Sequence, residues 1–106
     1  MKRFTVLAIS LLCLTCMGAM AQKKQTHDQF ANFKRYEQAN KELPAPAKKE
    51  KRVVFMGNSI TEGWVKIHPE FFKENGYVGR GISGQTSYQF LLRFREDAIN
   101  LKPKLV

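Results

Sequence analysis

Four consecutive apolar residues, Val53-Val54-Phe55-Met56, lead straight into Gly57-Asn58-Ser59-Ile60-Thr61-Glu62-Gly63-Trp64. A short unbroken apolar run suits a strand covered on both faces, and Gly57 stops it. Such strands occur in parallel sheets whose faces are shielded by helices, so this run constrains the fold class more than any other feature. The rest of the sequence provides the helices. Pro69 to Asn75 reads as a short helix with proline in its first turn and Gly76 just past its end. Tyr77 and Val78 start a second short strand. From Ser87 to Leu101 the set Tyr88, Leu91, Phe94, Ala98 and Leu101 keeps a helical stripe, which Lys102-Pro103 terminates. Leu105-Val106 reads as a third strand barely begun. Strand, helix, strand, helix, strand is the order of a three-layer, doubly wound parallel α/β fold, which needs several more elements to cover its sheet. The sequence therefore predicts part of a larger α/β domain.

The longest apolar stretch, Phe4 to Ala21, is interrupted by Ser10, Thr15 and Gly18, which makes it a poor permanent membrane span. It reads as a secretory leader over residues 1–21, with Lys2 and Arg3 as the charged start and Ala19-Met20-Ala21 as the cleavage site. Cleavage after Ala21 predicts a secreted or periplasmic chain. It also removes both cysteines, Cys13 and Cys16, and so excludes a disulfide framework from the mature protein. Lipidation at Cys16 is less favoured, because Thr15 stands where a smaller residue is usual.

Residues 22–50 read as an amino-terminal helix and linker, and residues 51–106 as the front of the α/β domain. Gln22 to His27 forms an expected mobile arm, and Asp28 is the expected cap of a helix carrying Phe30, Phe33, Tyr36 and Leu43. Pro44 ends that helix, and Pro44-Ala45-Pro46-Ala47 with the basic residues after it forms a stiff, exposed connector. The net charge of +9 invites a nucleic-acid reading. The basic residues nonetheless cluster in Lys23-Lys24, Lys34-Arg35 and Lys48-Lys49-Glu50-Lys51-Arg52 without the interleaved aromatics that stack on bases. Solvated surface is the expected fate of these clusters, and no nucleic-acid partner is predicted.

Ser59 falls at the carboxyl end of the first strand, the edge where open α/β sheets bind ligands. A serine on the turn into a helix presents its hydroxyl beside free backbone amides, which is a nucleophile geometry. It is not the Gly-x-Ser-x-Gly elbow, because Thr61 replaces the last glycine. The competing role for Asn58 or Ser59 is to cap the helix. A second segment, Gly79-Arg80-Gly81-Ile82-Ser83-Gly84-Gln85-Thr86-Ser87, again lies between a short strand and a helix. It satisfies Gly-x-Gly-x-x-Gly, yet the acids that could hold a ribose, Glu96 and Asp97, come too early and inside the helix, so a dinucleotide site is disfavoured.

Together the two segments make residues 51–106 resemble the SGNH hydrolases, or GDSL esterase family, and in particular its branch similar to platelet-activating factor acetylhydrolase. The family's nucleophile block usually reads Gly-Asp-Ser-Ile-Thr, and Gly57-Asn58-Ser59-Ile60-Thr61 departs from it only at Asn58. Gly79 to Ser87 is similar to its second block, and Arg93-Phe94, Asp97 and Leu101-Lys102-Pro103-Lys104 also look like that branch. The resemblance implies a flavodoxin-like fold, Ser59 as a nucleophile toward an ester carbonyl, and an oxyanion held by the amides of Ser59 and Gly84. It implies no cofactor, and the sequence shows no metal-ligand cluster. The family's oxyanion asparagine and its Asp-x-x-His pair are not found in this sequence. Serine needs an adjacent base, and His27 and His68 match no family block.

Asn58 and Arg80 are the candidate substrate-binding residues. Arg80 either orients a polar or anionic substrate beside Gly81 or forms a surface ion pair. Trp64 either lines the mouth of the site or packs as an ordinary tryptophan, and Glu62 reads as a first-turn helix acid. The resulting expectation is an exported serine esterase acting on small-molecule or carbohydrate esters, acetyl esters foremost. The alternative is a non-catalytic protein, or inactive relic, that holds anionic envelope polymers on its basic surface.

Overall fold

The computed structural model describes residues 23–106. The leader expected over residues 1–21, with Cys13 and Cys16, lies outside the described residues. In chain order the elements are α1 (His27–Ala31), α2 (Lys34–Glu42), β1 (Val53–Gly57), α3 (Ser59–Ile67), α4 (Pro69–Asn75), β2 (Tyr77–Gly81), α5 (Ser87–Asp97) and a 3-10 turn over Ile99–Leu101.

β1 and β2 are parallel, in register from Val53 opposite Tyr77 to Gly57 opposite Gly81. Leu105 forms a further parallel bridge to Val53, with the Val54 amide donating to the Leu105 carbonyl at 3.0 Å. Because Val53 pairs with both Tyr77 and Leu105, β1 lies between β2 and the start of a third strand. That reversal of direction after β2 is the doubly wound pattern.

Alternation along the strands separates two faces. Val54, Met56 and Val78 face one way and pack with Phe94, Ala98 and Leu101, under which Leu43 also fits. Phe55 faces the other way, with ring centroids 5.4 Å from Trp64, 5.5 Å from Phe72 and 5.2 Å from Tyr77. Thus α5 and the 3-10 turn cover one face and α3 with α4 the other, which makes three layers. Within β1 only Val54 is buried among the apolar side chains, because the described sheet is two strands and a bridge wide and its edges stay open.

Glycines let α3 settle onto the sheet. A Cβ at Gly79 would lie 2.2 Å from Val65 Cγ2, and one at Gly81 would lie 2.4 Å from the Glu62 nitrogen and 2.8 Å from the Asn58 carbonyl oxygen. Side chains on this face would push away the helix that begins with Ser59.

The amino-terminal helix differs from the sequence expectation. Thr26, not Asp28, is the cap, in a reciprocal arrangement with Gln29. The helix then breaks at Asn32, which takes φ +54 and donates its N–H to Asp28 and Gln29 carbonyls, a left-handed ending that asparagine tolerates. α2 ends at Glu42, as Pro44 demands. The stripe from Ser87 to Leu101 is also divided, since α5 stops at Asp97 and the chain tightens into the 3-10 turn.

Two glycines test this packing. Gly81→Ala is expected to lower stability by about 3 kcal/mol, because the new methyl meets backbone rather than a movable side chain. Gly63→Ala, inside α3 with nothing within 4 Å of its Cβ position, is expected to raise stability by about 1 kcal/mol. Urea unfolding of the two variants checks both signs.

Candidate active site

The register that pairs Gly57 with Gly81 delivers the two glycine-bearing segments to the same edge of the sheet. The Ile82 amide donates to the Gly57 carbonyl at 3.0 Å and ties their starts together. Asn58 caps α3, its Oδ1 accepting from the Ile60 amide at 3.4 Å and its carbonyl from the Glu62 amide at 3.0 Å. The competing capping role therefore accounts for the Asn58 side chain. Ser59 is the first residue of α3 and is exposed. Its N–H belongs to the opening turn, whose amides have no partner within the helix and carry the positive end of the helix dipole.

Gly84 is exposed at φ +79, a conformation that side chains rarely adopt, and its Cβ position is open space. Its amide has no acceptor among the described residues. Both neighbours are pinned. The Ser83 amide donates to Glu62 Oε2 at 3.0 Å and the Ser83 hydroxyl donates to the same oxygen. Gln85 is buried, donating from Nε2 to the Ala31 carbonyl at 2.7 Å and accepting at Oε1 from Arg93 Nε at 2.6 Å.

Glu62 is more than the helix acid that its position suggests. Its Oε1 accepts from Arg35 at 3.1 Å and lies 3.5 Å from Lys66 Nζ. The Ser83 hydroxyl foremost, then Arg35 and the Ser83 amide, pull its pKa down to about 2. No local sequence signal could reveal this, because Ser83 lies in another segment and Arg35 in α2.

Arg93 is fully buried and pairs with Asp97, one turn on, at 2.9 Å. It also donates to the Gly57 carbonyl at 3.3 Å and approaches Met56 Sδ at 3.9 Å. Asp97 Oδ1 accepts from Asn40 at 2.7 Å, and Asn40 Oδ1 accepts from Arg80 Nε at 2.8 Å. Arg80, expected at the surface or on substrate, is instead 6% exposed, bonded to Asn40 and the Gly79 carbonyl and stacked 4.8 Å from the Tyr36 ring centre. Its side chain points into the α5 face because it follows Gly79 in the strand alternation. The Tyr36 hydroxyl donates to the Gly81 carbonyl, and burial, partly opposed by Arg35, raises its pKa.

The basic run also needs correction at its end. Arg52 is buried, donating to the Leu101 and Pro44 carbonyls at 2.8 Å each, while the lysines before it are exposed as expected. The bond to Pro44 anchors the start of the connector, which is otherwise mostly exposed, as expected.

His68 follows α3 at the end opposite Ser59, about 13 Å away along nine residues, and its Nδ1 lies 3.3 Å from Glu70. His27 opens α1 and is exposed. Trp64 stacks on Phe71 at 5.2 Å and meets Phe55 and Phe72 edge-on, an ordinary packing role. Among the described residues no group of side chains could hold a metal, and no helix is long and apolar enough to cross a membrane. A cleft of about 720 Å³ lies elsewhere, between the amino-terminal helices and the end of α5 around Asn32, Glu37 and Asn100.

No family model and no curated protein matches this chain. Solved structures do. A provisionally named acylhydrolase from Bacteroides fragilis is 70% identical with a TM-score of 0.69, over 76% of this chain and 37% of its own. A GDSL-like lipase from Bacteroides thetaiotaomicron is 77% identical with a TM-score of 0.70, over 73% of this chain and 38% of its own. This chain thus spans less than two fifths of either neighbour. These identities support the GDSL/SGNH hydrolases as its family, and they match its α/β fold with parallel strands.

Two outcomes follow from the geometry. Arg93→Met is expected to cost about 3–5 kcal/mol, because Asp97 stays buried without its cation; chemical denaturation measures it. For Glu62, a folded pKa of about 2 lies below the ordinary carboxylate value, so its stabilisation is full above about pH 4.5 and disappears as pH falls through 2. The difference in urea midpoint between the parent and Glu62→Gln should therefore be largest near neutrality and vanish toward pH 2.

Proposed function

We propose that Ser59 is the nucleophile of an exported serine ester hydrolase of the SGNH type, in the branch similar to platelet-activating factor acetylhydrolase. The observation that carries this reading is Ser59 at the first residue of α3, on the same sheet edge as Gly84, whose amide has no acceptor among the described residues. The names of the two neighbours, an acylhydrolase and a lipase, support ester hydrolysis as the reaction class.

In the proposed reaction Ser59 Oγ attacks the ester carbonyl carbon as its proton passes to a general base. The amides of Ser59 and Gly84 donate to the oxygen as it gains negative charge, a term that typically weighs most in such catalysis. The tetrahedral intermediate collapses by breaking the bond to the alcohol oxygen, which leaves with the proton. Water then attacks the acyl-enzyme, the base takes its proton, and the acid and Ser59 are released. The family resemblance implies a histidine of an Asp-x-x-His block as the base, a block that this sequence does not contain. His68, at the far end of α3, lies out of reach. Acetylated carbohydrate is the preferred substrate class, in keeping with an exported chain.

The test uses the gene's full product and 4-nitrophenyl acetate. Ser59→Ala should lower kcat/KM by about 10⁴-fold or more, and Gly84→Ala by about 100-fold as the turn abandons its positive φ. Acetate release from an acetylated polysaccharide should show the same dependence on Ser59. Salt-sensitive binding of anionic polymers with no Ser59-dependent hydrolysis would instead favour the non-catalytic reading.

A further inference from the structure

Gly84 is held through its neighbours rather than by contacts of its own. Gln85, on one side, is locked into the interior by Arg93 and the Ala31 carbonyl. Ser83, on the other, is held at its amide and hydroxyl by one oxygen of Glu62. Glu62 lies on α3, one turn beyond Ser59, so this carboxylate connects the helix bearing the serine to the turn bearing the glycine. Its second oxygen is occupied from outside by Arg35 of α2 and by Lys66 of α3 itself. The Gln85 amide, donating to the Ile82 carbonyl at 3.3 Å, closes the turn over Ser83 and Gly84. With the glycine's own Cβ position open, the Glu62 carboxylate is the side-chain contact that holds its outer residue among the described residues.

We propose that Glu62 is a positioning residue, which through Ser83 aims the Gly84 amide at the oxyanion, with Arg35 holding the carboxylate in its working orientation. The proposal rests on the esterase reading above for its catalytic consequence. Glu62 touches no reacting atom. Its effect falls on kcat, since a donor aimed at developing charge matters in the transition state more than in the ground state.

The experiment measures kcat and KM of the gene's full product with 4-nitrophenyl acetate, in the parent, Glu62→Ala, Glu62→Gln and Ser83→Ala. Glu62→Ala should lower kcat about 100-fold with KM within about threefold, as expected for a misplacement on the ångström scale. Glu62→Gln keeps an acceptor for Ser83 but loses the charge that Arg35 grips, so it should recover about tenfold of that loss. Ser83→Ala combined with Glu62→Ala should be no worse than Glu62→Ala alone. A kcat for Glu62→Ala within about threefold of the parent overturns the proposal, and so does a loss matched by the fraction unfolded. Nuclear magnetic resonance supplies a readout independent of turnover. The Ser83 amide proton, bonded to a carboxylate, should resonate downfield in the parent and move upfield in Glu62→Ala together with a shift at Gly84. Unmoved Ser83 and Gly84 resonances overturn the clamp itself. A parent without Ser59-dependent turnover sinks the esterase reading, and the resonances then decide the clamp separately.

Discussion

The charge of Arg93 is the constraint around which the described structure is assembled. A guanidinium wholly removed from water is tolerated only when it is paired and its donors are used. Asp97 neutralises it from one turn away, and Gln85, the Gly57 carbonyl and Met56 Sδ take its remaining bonds. Those partners belong to α5, to the turn before it and to the last residues of β1. The charge can be satisfied only when all three have met, so forming the core beneath the sheet and drawing its two carboxyl-end segments together are one event. Asp97 extends the network to Asn40, and Asn40 to Arg80, which binds the amino-terminal helices into the same interior.

The sequence was most readable where a residue's own backbone chemistry decides the outcome. Pro69 and Gly76 bound a helix because one presets its first turn and the other tolerates a positive φ at its end. Val53 to Met56 forms a strand, and Leu105 begins to pair beside it. The loops bearing Ser59 and Gly84 could likewise be placed at one edge from strand order alone. What escaped depends on partners distant in the chain. Arg52 reads as part of a solvated basic run, and Arg80 as a substrate contact or surface ion pair, until groups from other segments surround them, and no local signal marks Arg93 as a buried charge. Asn32 breaks a helix that apolar spacing alone would continue, because its side chain tolerates the left-handed ending. Glu62 passes for a first-turn helix acid because Ser83 and Arg35 are adjacent to it only in three dimensions.

The aromatic face obeys a simpler rule. Glycines at positions 79 and 81 leave the sheet bare where α3 crosses it, and Phe55, Trp64, Phe72 and Tyr77 fill the space beside them. Close approach without side chains brings backbone to backbone, so α3 sits at a distance set by the sheet itself. The first turn of that helix, with its orphan amides, inherits this fixed position. A backbone donor placed in this way needs no rotamer to be selected, which suits a role that depends on alignment before charge develops.

The two restraints on the Gly84 turn differ in kind, and the difference divides their work. Arg93 and Gln85 act in a dry interior, where the field is strong and salt does not reach, so they set where the turn lies. Glu62, Ser83 and Arg35 act nearer to solvent, where ions screen an exposed arginine and each bond is weaker. An outer restraint of that strength cannot choose the fold, but it can bias the orientation of a glycine in a turn that the Gln85-to-Ile82 backbone bond closes. Register thus comes from the buried side and direction from the surface side, and the amide between them points where both conditions hold.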